Sequence, residues 1–237
     1  MKTLLISDIH SNFHALEAIW AQEGDSDMVY CTGDLVDYGP FPCEVLAWIR
    51  SHGVKCTSGN HDLWVVKNYR QGNFIGNTKI EDLTWAVHNA SQLSEGDVHF
   101  LESLPDVITF QLDDTWYGMT HLYKGYEEIV SLDAFSTFRN TRFKDLPGEG
   151  FQHLILGHTH RQAVRYLSDD IYWLNPGSVS YRRPDDPDQT AHYATIIDGV
   201  ISLKRLAYDL GPIRKYIRGI SLNKSEMNAA RRFFDLH

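Results

Sequence analysis

Three short apolar runs near the start of the chain each break off at a polar cluster: "TLLISDIH" at residues 3–10, "MVYCTGD" at 28–34 and "VKCTSGNHD" at 54–62. The first is followed by apolar residues at helical spacing, Ala15, Leu16, Ile19 and Trp20, and the second by the amphipathic "FPCEVLAWIRSHG". Runs this short read as buried strands. A strand, loop and helix unit that recurs specifies an α/β sheet, and such sheets carry their chemistry in the loops at the carboxyl ends of the strands.

The middle of the chain is more helical, with "IEDLTWAVHNASQL" and then "GDVHFLESLP", where Pro105 stops the second helix. "DVITFQLDDTWYGMTHLY" reads as two strands around the turn Asp113-Asp114. Residues 124–150 are polar and show no clear period, and the sequence leaves open whether they form a lid or an interface. Strand character returns in "HLILGHTH", "AVRYL", "IYWLN", "HYATIID" and "VISLKRL". Helices alternating with strands early and consecutive strands late imply a mixed sheet system. From about residue 209 to residue 237 the pattern is weak, with a helix near "SEMNAARRFFDL", and this stretch reads as the peripheral end of one domain covering residues 1–237. At 43% apolar residues the chain has enough material for one continuous core.

The formal charge of −9, with no basic stripe, gives no strong nucleic-acid signal and no attraction to anionic lipid. A bound metal can still create the local positive potential that captures a phosphate. The cysteines, Cys31, Cys43 and Cys56, are odd in number and widely spaced, which suits reduced thiols in the cytoplasm. "MKTLLISDIH" meets Asp8 before it can form a signal-peptide core, and no stretch reaches the roughly 18 apolar residues of a membrane span. No feature specifies an oligomeric state.

Five clusters, "SDIH", "GDLVDYG", "GNHD", "THLY" and "GHTH", end strand-like segments in Asp, Asn or His. A single strand-end Asp is explained by helix capping and a single His by ordinary packing. Together the clusters exceed what capping needs, and the glycines before the donors allow sharp turns or a close approach of backbone to an ion. If "GHTH" stays extended, His158 and His160 share one side of the strand, as do Asp8 and His10. Asp8, His10, Asp34, Asn60, His121, His158 and His160 are too many donors for one four-coordinate structural zinc site and suit two ions sharing a ligand. Asp34 is the expected bridge, and neutral Asn60 adds an oxygen without adding charge. Such a pair generates hydroxide near neutral pH and clamps phosphoryl oxygens, so phosphoester hydrolysis follows more naturally than redox chemistry. Manganese, iron, zinc, nickel and magnesium all accept this nitrogen and oxygen donor set.

"DIHSN", "GDLVDYGP", "GNHD", His121 in "MTHLY", and "GHTH" resemble the motifs of the calcineurin-like metallophosphoesterase superfamily, in particular its compact bacterial and archaeal phosphodiesterases and phosphatases. "LNPGSV" resembles the family's return segment near the active site. The resemblance implies a four-layer α/β/β/α sandwich of two mixed sheets flanked by helices, carrying two divalent metal ions. It implies one ion on Asp8, His10, Asp34 and His160, and the other on Asp34, Asn60, His121 and His158. His61 matches the family histidine that contacts the phosphoryl group and protonates the leaving oxygen, and Asp62, next in the chain, is expected to orient it. Tyr38 stands where the protein serine/threonine phosphatases carry an arginine, and Asp62 where they carry a glutamate. These departures count against that branch and leave the metal ligands intact.

The expected substrate is a small phosphodiester, with a nucleotide ester as the leading candidate. The alternatives are a phosphomonoester or a noncatalytic metal-binding scaffold, and the presence of His61 favours hydrolysis. Asn12 is expected to cap the helix that begins at Phe13. Arg161, Arg182 and Arg183 offer bidentate donors to phosphate oxygens and equally suit exposure to solvent. Tyr38, Trp116, Tyr117 and Tyr181 are candidates for a base or aryl pocket, although most aromatics in such a chain belong to the core.

Overall fold

The structure, a computed structural model, describes residues 1–180, 185 and 189–236; Tyr181, Arg182 and Arg183 lie outside the described residues. The three apolar runs form parallel strands β1 (Lys2–Ile6), β2 (Met28–Cys31) and β3 (Lys55–Cys56), and helices α1 (Phe13–Glu23), α2 (Pro42–Ser51) and α3 (Asn60–Arg70) follow them in turn. Two late strands, β9 (Ala191–Ile197) and β10 (Val200–Leu206), pair as a hairpin and add antiparallel to β1, giving the order β10-β9-β1-β2-β3.

The second sheet combines the hairpin β4 (Val107–Leu112) and β5 (Thr115–Thr120) with β6 (His153–Ile155), β7 (Ala163–Tyr166) and β8 (Tyr172–Asn175), in the order β4-β5-β6-β8-β7. β5, β6 and β8 run parallel, and the outer strands β4 and β7 antiparallel. Side chains alternate across the first sheet as the pleat requires. Leu4 and Ile6 face α1 and its neighbours, while Leu5 faces the second sheet together with Tyr30, Ala194 and Ile196. Opposite them stand Phe110, Leu112, Tyr117, Met119, Ile155 and Leu174.

A helix, α6 (Leu132–Arg142), covers the outer face of the second sheet through Phe135 and Phe138, which pack with Phe143, Phe151, Leu154 and Trp173. This completes the four-layer α/β/β/α arrangement. Residues 124–150, whose role as a lid or an interface the sequence leaves open, therefore contain a structural layer. Its pattern is faint because two buried phenylalanines carry the contact in an otherwise polar "LDAFSTFRNTR". Tyr117 lies in the core between the sheets, and Trp116 packs against the outer-face cluster of the second sheet, so neither is among the residues that converge at the strand-end loops.

Between β3 and β4 lie the short helices α4 (Trp85–Ala90) and α5 (Glu95–Glu102), the latter ending before Pro105 as expected. The C-terminal stretch forms α7 (Gly211–Ile217) and α8 (Lys224–Phe233), whose Ile213, Ile217, Ala230 and Phe233 close around Trp85 and against Tyr38 and Phe41. Asn12 caps α1, its side chain accepting from the Ala15 amide at 3.0 Å, and it also donates to Ser180 and to Tyr208. Among the described residues no helix is long and apolar enough to cross a membrane.

Leu174 is fully buried between the sheets, whereas Leu203 is 40% exposed on β10. Leu174→Ala is expected to cost about 2–5 kcal/mol in denaturant unfolding, and Leu203→Ala a small fraction of that. Equal losses in the two variants would contradict the placement of the inter-sheet core.

Candidate functional site

The loops after β1, β2, β3, β5 and β6 meet at one end of the two sheets. They are joined by main-chain bonds that prolong the strand pairing: the amides of Asp8, His10 and Ser11 donate to the carbonyls of Gly33, Asp34 and Leu35 at 3.0, 3.0 and 2.9 Å. The loops follow an unusual path. Asp8, His10, Asp34, Asp37, Tyr38, His158 and His160 all have positive φ, between 48° and 75°. Asp and His tolerate the left-handed region better than most residues, because their short polar side chains can bond locally.

This path corrects the expected geometry of "GHTH". β6 ends at Ile155, and His158 and His160 sit in a turn with φ of 62° and 57°. They do not share one side of an extended strand. His160 joins Asp8 and His10 in one group of converging donors, and His158 joins Asp34 and His121 in a second.

In the first group, His10 Nε2 and His160 Nε2 lie 3.3 Å apart, and Asp8 Oδ1 is 3.0 Å from His160 Nε2. In the second, His121 Nε2 is 3.1 Å from Asp34 Oδ2 and 3.2 Å from Asn60 Oδ1. Asp34 Oδ2 is also 3.9 Å from His10 Nε2, so this carboxylate stands between the groups. All seven predicted ligand positions thus come together.

The protonation states fit this donor set to a cation. His121 Nδ1 donates to the Thr32 carbonyl at 2.9 Å, and His10 Nδ1 to the Val36 carbonyl at 3.4 Å, which turns each Nε2 toward the cluster. Burial pushes His10 down to about 3, so it stays neutral. For His121 burial also acts downward, but the adjoining Asp34 carboxylate outweighs it and pushes the imidazole up to about 9. Burial acts to raise Asp8, yet the His160 imidazole overcomes it and holds the carboxyl at about 2. Imidazole nitrogens and ionised carboxylates that converge on one another form a donor set that suits divalent ions, which would displace the imidazole protons.

Behind the donors, Ser7 donates to Asp8 Oδ2 and receives a bond from the Thr32 hydroxyl. The His158 amide donates to the same oxygen at 3.2 Å. In the return segment Ser178 Oγ donates to the Asp8 carbonyl at 3.0 Å, and Asn175 Nδ2 to the Gly157 carbonyl at 2.7 Å. The glycines serve contact between loops. A Cβ on Gly59 would overlap the Asp34 carboxylate and amide, and one on Gly157 would overlap the Ser7 and Thr32 hydroxyls.

The expected role of Asp62 is corrected. Its Oδ1 accepts from the amides of Leu35 and Val36 at 2.8 and 3.1 Å, and its Oδ2 from those of Asp34 and Gly59 at 3.0 and 2.9 Å. Both oxygens are engaged by main chain, and the residue fixes loops. His61 instead bonds through Nδ1 to Asp37 Oδ2 at 2.7 Å. Burial acts to lower the His61 pKa, but the Asp37 bond and the Asp34 charge outweigh it, and the pKa is raised. Asp37 was missed because adjacency in the chain pointed to Asp62. The only signal for it was a second aspartate in "GDLVDYG". Tyr38 does reach the site, its ring 4.5 Å from that of His61 and 5.2 Å from that of His10. Arg161 is half exposed and faces Glu128 and Asp185 at 3.9 and 3.7 Å.

The sequence model of the Calcineurin-like phosphoesterase superfamily domain matches residues 1–197. An uncharacterized protein of Methanocaldococcus jannaschii is 28% identical over 227 residues, covering 87% of this chain and 87% of that protein. A symmetrical bis(5'-nucleosyl)-tetraphosphatase of Erwinia tasmaniensis is 29% identical over 208 residues, covering 79% of this chain and 73% of that enzyme. The solved structure of a metallophosphoesterase from Sphaerobacter thermophilus shares the fold at a TM-score of 0.70 and 23% identity, covering 98% of this chain and 100% of that one. The chain therefore belongs to the calcineurin-like phosphoesterase superfamily and is a metal-dependent phosphoesterase.

Proposed function

We propose that this protein hydrolyses small phosphodiesters, nucleotide esters among them, at a centre of two divalent ions. The observation that carries this reading is the position of Asp34 Oδ2 between two groups of converging donors. Asp8, His10, Asp34 and His160 would hold one ion, and Asp34, Asn60, His121 and His158 the other. Ions held there supply Lewis acidity toward phosphoryl oxygens and a nucleophilic water at neutral pH. The similarity to a symmetrical bis(5'-nucleosyl)-tetraphosphatase supports the nucleotide class. Three free cysteines, two of them buried, suit a cytoplasmic enzyme.

The protein's own contribution to bond breaking centres on His61. Asp37 accepts from Nδ1, which leaves Nε2 to carry the transferable proton. As the bond from phosphorus to the leaving oxygen breaks, that oxygen takes the Nε2 proton, and the imidazole relaxes to a neutral ring still bonded to Asp37. The water that replaces the leaving group loses its own proton to the medium, so no covalent bond to the protein forms.

Metal-depleted protein reloaded with each candidate ion is expected to cleave bis-p-nitrophenyl phosphate faster than p-nitrophenyl phosphate, and Asp34→Asn to abolish both activities. A faster monoester reaction would move the assignment to a phosphatase, and inactivity with verified metal would revive a scaffold. His61→Gln and Asp37→Asn are each expected to lower kcat about 100- to 10,000-fold while metal content holds. Asp62→Asn should instead lower the unfolding temperature and the metal content together. An Asp37→Asn enzyme with wild-type turnover would remove Asp37 from the mechanism.

A further inference from the structure

Among the described residues three large aromatic side chains are exposed, Trp64 at 49%, Tyr126 at 74% and Tyr166 at 62%. Tyr166 lies against Tyr172 on the second sheet, with 5.3 Å between ring centroids. The other two rest on imidazoles of the candidate site. The Trp64 indole meets the His61 ring edge to face at 4.4 Å, and the Tyr126 phenol stacks on the His158 ring at 4.8 Å and 22°. His61 neighbours His10 of the first donor group at 5.0 Å, and His158 neighbours His121 of the second at 5.2 Å. The two exposed rings thus reach the candidate site from different elements, Trp64 through His61 and Tyr126 through His158.

Both rings are placed by turns of backbone next to the chemistry. Trp64 lies one turn along α3 from Asn60 and His61, on a helix whose buried side is built from Val65 and Val66. Tyr126 sits at the tip of a tight turn closed by the Lys124–Glu127 bridge, after Gly125 with φ of 50°. Exposed aromatic surface beside a polar site is characteristic of ligand grooves. The chain carries a net charge of −9, so affinity for a nucleotide beyond its phosphates is best gained by contact with its uncharged end.

We propose that Trp64 and Tyr126 stack the aromatic bases at the two ends of a dinucleoside polyphosphate whose phosphate chain lies across the metal centre. Trp64, resting on the leaving-group histidine, stacks the base of the nucleotide whose terminal phosphate oxygen departs, and Tyr126 the base of the nucleotide that carries the attacked phosphorus. Stacking uses the face that every base has, so the pair selects for a nucleoside at each end without choosing between bases. The proposal rests on the reading of this site as a hydrolase of nucleotide esters.

The test compares two ligands on metal-loaded protein by calorimetric titration: diadenosine tetraphosphate with methylene groups in place of its bridging oxygens, and inorganic tripolyphosphate. The ratio of the two affinities cancels any disturbance of His61 or His158 that affects both ligands. In Trp64→Ala and in Tyr126→Ala this ratio is expected to fall about tenfold, and in Trp64→Phe and Tyr126→Phe to return toward the wild-type value. An unchanged ratio in the alanine variants would overturn the proposal and leave the phosphoesterase reading standing. A ratio that falls but is not rescued by phenylalanine would overturn it too, since the rings would then be structural supports. Wild-type protein that binds neither ligand with its metals in place would remove the reading of the site, and the proposal with it.

Discussion

The Asp62 carboxylate is the fastening on which the site depends. It is fully buried and gathers four main-chain amides, three from the loop after β2 and one from the loop after β3. Without an acceptor those amides would be buried and unsatisfied, a cost that compounds with each one. The same interaction sets where Asp34 leaves the first loop and where Asn60 and His61 start α3. Asp34 Oδ1 then accepts from the His61 amide at 2.8 Å, which locks the two loops a second time. Asn60, His61 and Asp34 are therefore placed by a residue that has no free oxygen for the reaction.

Electrostatics explain how an acidic protein attracts phosphate. Asp8 and Asp34 are buried beside each other's histidines, and Asp34 is held well below the ordinary carboxylate range, because His121 and its neighbours outweigh the effect of burial. Water is largely excluded at these positions, so interactions within the cluster are weakly screened. Negative charge fixed in a dry pocket favours cations, and cations held there would reverse the sign of the potential that a phosphate meets. The formal charge of the chain describes its surface far better than it describes this pocket.

Most of the fold was legible because short apolar runs and their polar ends are local signals. β1, β2, α1, α2 and the late strands from β6 to β10 follow the pattern of the sequence. The convergence of seven Asp, Asn and His side chains was legible for a similar reason, since each lies in the segment that follows a strand. What escaped depended on chain path. α6 hides two buried phenylalanines among polar residues, and α7 spans only Gly211–Ile217. The partner of His61 comes from the neighbouring loop, and no spacing rule favours Asp37 over the adjacent Asp62. The left-handed turns also broke the inference from i, i+2 spacing, so that His158 and His160 serve different donor groups although the prediction placed them on one face.

Those left-handed turns limit how such a centre can change. Asp8, His10, Asp34, His158 and His160 combine a converging donor atom with a backbone conformation that few side chains accept. Replacing one of them with a glutamate or a cysteine, to favour a harder or softer ion, would alter the donor and distort its loop in the same step. Selectivity among metals is consequently easier to adjust from behind the donors, through the hydroxyls of Ser7 and Thr32 on Asp8 or the carbonyls that orient His10 and His121, where the backbone carries no such restriction. A lineage under pressure to exchange its metals would be expected to keep its inner ring of aspartates and histidines and to vary the residues that hold them in place.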